Sequence, residues 1–247
     1  MSETSTTNKE LIEELFNAGS HFGYAKARRH PSTSAYIFGN KNGIEIFDLE
    51  KTSPLVENAI AFVESLATQG RQVLFVSGKK ESQRPVREAA DKIDQPYVAG
   101  RWIGGTLTNF DEISKRVARL EKLLEEKEKG LLAKYTKKER LLIDREITKL
   151  TARFGGIVNM KGKPGAVFVV DSKEEDIAVA EARVKGIPVI ALASSDCDIS
   201  SIEYPILAND GSVKSVSLIL ETIVKAYQAG AKKHAEKTPI SASTVKK

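Results

Sequence analysis

Three apolar runs constrain the fold more than anything else in this chain: "RQVLFVSGKK" from Arg71, "AVFVVD" from Ala166 and "IPVIALASSD" from Ile187. Each is short, rich in branched aliphatic residues and free of polar alternation, the pattern of a strand buried on both faces. Such strands demand helices on either side, and the chain supplies them. In "TSPLVENAIAFVESLATQG" Ser53 is placed to cap, Pro54 to occupy the first helical position and Gly70 to stop the helix. Residues 82–92 read as a second helix. "SKEEDIAVAEARVKG" gives a third, with Ser172 and Glu175 spaced as a capping box, and "GSVKSVSLILETIVKAYQAG" a last one after a fourth strand in "EYPIL". Alternation of this kind predicts a parallel sheet with helices on both faces. Upstream, "AYIFGNKNGIEIFDLEKT" reads as two short strands around an Asn-Gly turn, with Ile44, Ile46 and Leu49 as apolar positions of the second.

Residues 109–154 break the rhythm. Phe110, Ile113, Val117, Leu120 and Leu124 recur at helical spacing, as do Ile143, Ile147, Leu150 and Phe154, so each segment carries one narrow apolar seam. Gly130 can end the first helix, and Thr136 with Glu139 forms a capping box that starts the second. The expectation is an antiparallel helical hairpin, densely charged on its other faces and therefore projecting from the sheet. Asn109 is placed to start it.

Length and charge narrow the function classes. A 247-residue chain that is 41% hydrophobic builds a substantial core. It has no apolar run of membrane-spanning length, and "MSETSTTNKE" lacks the layout of a signal peptide, so the expectation is a cytosolic protein without a membrane role. The lone Cys197 forms no internal disulfide and reads as a small buried residue. The net charge of +5 is unevenly spread: residues 109–154 carry 13 Lys and Arg against 9 Asp and Glu, whereas residues 160–229 carry 7 against 10. From residue 230 the balance is 5 against 1, in a tail expected to be flexible. A basic middle and a basic tail suit a polyanionic partner.

No enzyme motif is complete. "VSGKKES" is neither a P-loop nor a dinucleotide fingerprint, and Gly100, Gly104 and Gly105 fit neither pattern. Asp171, at the end of a strand, could bind a ribose hydroxyl, but more often such an Asp begins a turn or caps the next helix. Asp196, Cys197 and Asp198 would need His21 or Asp210 to complete a metal site, and the other histidines are His30 and His234. No cofactor or metal is expected. Basic residues are better supplied: Lys26, Arg28, Arg29, Lys79, Lys80, Arg84 and Arg101 fall in loops or at element ends, where they can meet phosphates. Trp102 either stacks on a base or packs inside. The Gly-Gly turn of "RWIGGTLTNF" either cradles a phosphate on its backbone N–H groups or simply redirects the chain.

Read together and in order, "AGSHFGYAKARRHP", "YIFGNKNGIEIFDLEKT", "RWIGGTLTN", "AVFVVD" and "KGIPVIAL" resemble the bacterial small-subunit ribosomal protein number two (S2) family, from about Leu11 to Tyr227. The resemblance implies a non-enzymatic rRNA-binding protein with a flavodoxin-like three-layer parallel sheet domain over residues 1–108 and 155–229. It implies a protruding, coiled-coil-like hairpin at 109–154 and a tail at 230–247. It further implies small-subunit rRNA and neighbouring ribosomal proteins as partners, ribosomal protein number one among them, with no self-association. The sequence departs from the family pattern at Tyr24 and Ser194, where some relatives place metal ligands, and only Asp210 of that set remains. The competing expectation is a phosphate- or nucleotide-binding α/β enzyme that uses the same loops.

Overall fold

The computed structural model describes residues 3–237. The chain opens with α1 (Glu3–Asn17), then β1 (Phe22–Ala25), β2 (Ile37–Lys41) and β3 (Ile44–Phe47). These three strands form a small antiparallel sheet in the order β1-β3-β2, and the Asn42-Gly43 turn has positive φ at both residues, as a two-residue hairpin requires. There follow α2 (Leu49–Thr68), β4 (Val73–Ser77), α3 (Lys80–Lys92), β5 (Tyr97–Ala99), α4 (Phe110–Glu128) and α5 (Lys137–Phe154). The chain continues through β6 (Ala166–Val170), α6 (Asp176–Val184), β7 (Val189–Ala193), β8 (Tyr204–Leu207) and α7 (Val213–Lys237).

The main sheet is parallel throughout, in the order β5-β4-β6-β7-β8. Numbered from β4, that is the 2-1-3-4-5 arrangement of flavodoxin-like folds, whose topological switch point lies between β4 and β6. Alternate residues of each strand supply two cores. Val73, Phe75, Phe168, Val170 and Leu192 pack against α2, α3 and α7. Leu74, Val76, Val167, Val169 and Ala191 face the opposite layer, which is built from α6, Trp102, Leu107 and the roots of α4 and α5. The small sheet sits over the ends of β7 and β8, where Phe47 packs with Ala193, Cys197, Ile199 and Leu207.

Helices α4 and α5 occupy the segment where the hairpin is expected. Gly130 is left-handed at φ 68°, and the Thr136–Glu139 capping box is formed. Ile113, Val117, Leu150 and Phe154 belong to the sheet's second core, so the two helices stand in for a crossover helix between β5 and β6. Further out, Leu120, Leu123 and Ile147 form a separate cluster. Leu123, not Leu124, completes the seam of α4, and Leu124 faces solvent. Two cross-helix ion pairs, Arg119–Glu146 at 3.2 Å and Lys127–Asp144 at 2.8 Å, are exposed and contribute little.

Several local expectations are corrected. Helix α2 starts one turn early because Asp48 caps it, its Oδ1 accepting from the Glu50 N–H, so Leu49 is helical and Ser53 and Pro54 lie inside the helix. The Ser172–Glu175 box does not form, since Asp171 Oδ1 accepts from the N–H groups of Lys173 and Glu174 instead. Asn109 makes no side-chain cap. Part of the supposedly flexible tail is ordered: α7 runs on to Lys237, Gly230 lies against Glu64 and Ala67 of α2, and His234 Nδ1 is 2.9 Å from the Thr68 carbonyl. The rest of the segment expected to be a flexible tail, residues 238–247, lies outside the described residues.

Candidate nucleic-acid interface

The Gly-Gly turn after β5 does cradle an anion, and the anion is the chain's own. Glu181 on α6 points into the turn, where Oε1 accepts from the Gly105 N–H at 2.7 Å and from the Trp102 indole at 3.2 Å. Oε2 accepts from the N–H groups of Leu107 and Thr108 and from the Thr108 hydroxyl, each at 3.0 Å. Gly105, at φ 93°, supplies the backbone conformation that aims these donors inward. Burial pushes the Glu181 carboxyl up, but this ring of donors outweighs it and holds the group below the usual carboxylate range. The turn is therefore filled, and Trp102, only 7% exposed, is a packed anchor with its indole N–H satisfied. Of the two expectations for Trp102, stacking on a base or packing inside, this burial supports packing.

The carboxyl ends of the parallel strands are where an α/β enzyme of this topology would hold its ligand. Here the crevice is occupied by side chains. Lys79, following β4, places Nζ 2.5 Å from Asp171 Oδ2, after β6, and 2.6 Å from Asp210 Oδ2, after β8. Burial works against the ammonium, yet the two carboxylates outweigh it and keep Lys79 firmly charged. Tyr24 closes the top, its hydroxyl 3.3 Å from Lys79 Nζ and its ring 4.6 Å beneath the Arg28 guanidinium. On the other side of the β4 loop, the Glu175 carboxylate lies against Gly78, in the space a Cβ there would take. Burial raises the Glu175 carboxyl to about 7. Cys197 is buried beside Asp171, and burial pushes its thiol up to about 12, leaving it inert as a nucleophile.

The basic residues expected at the interface divide by environment. Lys79 is corrected from phosphate contact to interior ion pair, because its side chain is only 16% exposed and has two carboxylate partners. Arg29 donates to the buried Glu45 carboxylate at 3.1 Å and serves the small sheet. Arg28, with 59% of its side chain exposed, approaches Asp196 at 3.6 Å and leaves an open face. Lys26 and Lys80 are exposed, and Arg84 is exposed but paired with Glu88 one helical turn away. Arg101 is exposed and lines a cleft together with Arg87 of α3 and Arg153 at the end of α5. Sequence reasoning missed Arg87 and Arg153, since both lie inside helices, where a cation reads as part of a solvated face, and only the fold brings them beside Arg101.

Among the described residues, no group of three or more His, Cys, Asp or Glu side chains is arranged to hold a metal, and no helix is long and apolar enough to cross a membrane. Known proteins are similar to this chain in sequence across most of its length. The family model described as "Ribosomal protein S2" matches residues 15–230. The small ribosomal subunit protein uS2 of Micrococcus luteus is 41% identical over 220 residues, covering 89% of this chain and 77% of the relative. Those of Chlorobaculum tepidum, 41% identical over 87% of this chain and 86% of its own length, and Acidothermus cellulolyticus, 43% identical over 89% and 80%, align similarly. A family match over most of the chain, with relatives well above 30% identity along the same span, has one reading: this chain belongs to the ribosomal protein S2 family.

Proposed function

We propose that the protein is a structural constituent of the small ribosomal subunit, without enzymatic activity, that binds small-subunit rRNA and neighbouring ribosomal proteins. The observation that carries this reading is the occupancy of the sheet's ligand crevice by the Lys79–Asp171–Asp210 ion-pair cluster, with the Gly-Gly turn likewise closed on Glu181. Where an enzyme of this topology keeps room for a ligand, the chain has spent that room on its own interior, while unburied cations face outward. The relatives, named as small ribosomal subunit proteins, support the same assignment. Lys26, Arg28, Lys80 and Arg101 are the rRNA contacts we favour, as exposed cations on loops or element ends. Residues 109–154 act as a separate arm on a sheet unit formed by 1–108 and 155–229, and ribosomal protein number one is among the partners. Both follow the family resemblance.

Sedimentation of a cell lysate tests the reading. The protein should travel with small subunits and be released by high salt. A soluble pool indifferent to ribosome dissociation would overturn it in favour of an α/β enzyme.

A further inference from the structure

We propose that the cleft between Arg87, Arg101 and Arg153 is a built phosphate site that takes a backbone phosphate of RNA, an inference that rests on the rRNA-binding reading above. The cleft measures about 270 Å³, and its walls come from α3, from β5 with the loop after it, and from the end of α5 with the turn that follows. No acidic side chain lines it. The arginines that form ion pairs among the described residues are Arg28, Arg29, Arg84 and Arg119, so all three guanidinium groups here lack a carboxylate partner. Elsewhere on α3 and the hairpin, Arg84, Lys115, Arg119, Lys127 and Lys129 each have a Glu or Asp partner. Gathering three like charges around one concavity is unfavourable unless an anion completes it. Guanidinium is the side-chain group whose fixed fork of donors suits a phosphate.

Local structure holds the site in place. Gly156, in the turn after α5, lies so close to the Tyr97 carbonyl and ring that a Cβ there would overlap both, so glycine is what allows that turn to close on β5. The closure sets Arg153 beside the loop bearing Arg101. The Arg87 guanidinium stands over the Tyr97 ring at 5.9 Å, which steadies it at the rim. Asp91, one turn further along α3, is near enough to act on the Tyr97 hydroxyl but does not line the cleft. Arg153 also borders a second, larger cleft with Arg116, Lys149, Glu112 and Glu146. The cations thus continue from the sheet onto the hairpin, a path that suits a chain of phosphates better than one free anion. A phosphate bound here would also tie the root of α5 to β5.

The test is filter binding of the purified full chain to transcribed small-subunit rRNA across a salt titration. The variants are R87A/R101A/R153A, the all-lysine equivalent, and a control, K214A/K225A/K232A, that removes three exposed lysines of α7. The cleft variant should bind about tenfold more weakly, with a log–log salt slope shallower by roughly 0.7–0.9, the value of one phosphate contact. The lysine variant should recover part of the affinity, and the control should match the intact chain. Intact binding by a folded cleft variant, or an equal loss in the control, would overturn the site while leaving the rRNA reading standing. Should the cleft variant fail to fold, R101A alone decides by the same criteria, because Arg101 is exposed and unpaired. Failure of the unmodified chain to bind rRNA would instead remove the reading on which the site rests. Displacement of rRNA by millimolar inorganic phosphate at constant ionic strength would identify a free-anion site and overturn the RNA assignment.

Discussion

Glu181 illustrates how one buried side chain decides what a motif means. Five donors converge on its carboxylate, so removing it orphans three backbone N–H groups and the Trp102 indole at once. Glu181→Ala should therefore cost about 3 kcal/mol or more in chemical unfolding. The carboxyl is held below its unfolded value, so its contribution is present above about pH 4.5 and is lost as pH falls further. Glu181→Gln should accordingly flatten that acid limb of the stability curve. The sequence makes the turn visible but cannot name its anion, because Glu181 lies 76 residues beyond Gly105 and sits on a helix whose exposed face is charged as well. Arg28 and Arg29 are adjacent in sequence, and the fold separates their roles. Arg28→Ala should weaken incorporation into small subunits with unfolding nearly unchanged. Arg29→Ala should lower stability by about 3 kcal/mol, because it strands the buried Glu45 carboxylate. Equal behaviour of the two variants in thermal melts would contradict this division.

At the scale of elements, the apolar runs announce β4, β6 and β7 correctly because a doubly covered strand has no competing pattern. By contrast, β1 and β5 are only four and three residues long, too short for periodicity to register, and tertiary pairing creates them. Expected Ser caps fail where a nearby Asp outcompetes the Ser, as at Asp48 and Asp171. Freed from capping, Glu175 is buried against Gly78 with its carboxyl raised to about 7 from 4.5. The folded state then holds this proton between about pH 4.5 and 7 while the unfolded chain does not, so stability falls as pH rises through that window. Glu175→Gln should remove that decline, and thermal melts at pH 5 and pH 8 read it directly. The helical arm also divides cleanly. Replacing residues 118–147 by a short turn removes Leu120, Leu123 and Ile147 but spares Ile113, Val117 and Phe154 of the sheet core. That variant should remain folded and incorporate poorly. Assembly equal to that of the intact chain would make the arm dispensable.

Over the whole molecule, sheet order and charge placement account for each other. A 2-1-3-4-5 sheet offers a crevice at its switch point, and this chain closes it with its own ions while leaving cations unpaired at the rim and at the root of the hairpin. That arrangement was only half legible beforehand. Basic residues in loops are visible in sequence, whereas their partners lie across the fold: Asp210 is 131 residues from Lys79. Amide hydrogen exchange compared between the free protein and reconstituted small subunits tests the central claim most directly. Slowed exchange is expected at Lys26–Arg29, at Arg101 and around Gly130 on assembly, with little change at Ser77–Lys79, Gly105–Thr108 and Asp171–Ser172, already closed in the free chain. Unchanged exchange along the outward basic segments, with new protection confined to the ends of β4 and β6, would contradict the account and return the crevice to the role of a ligand site.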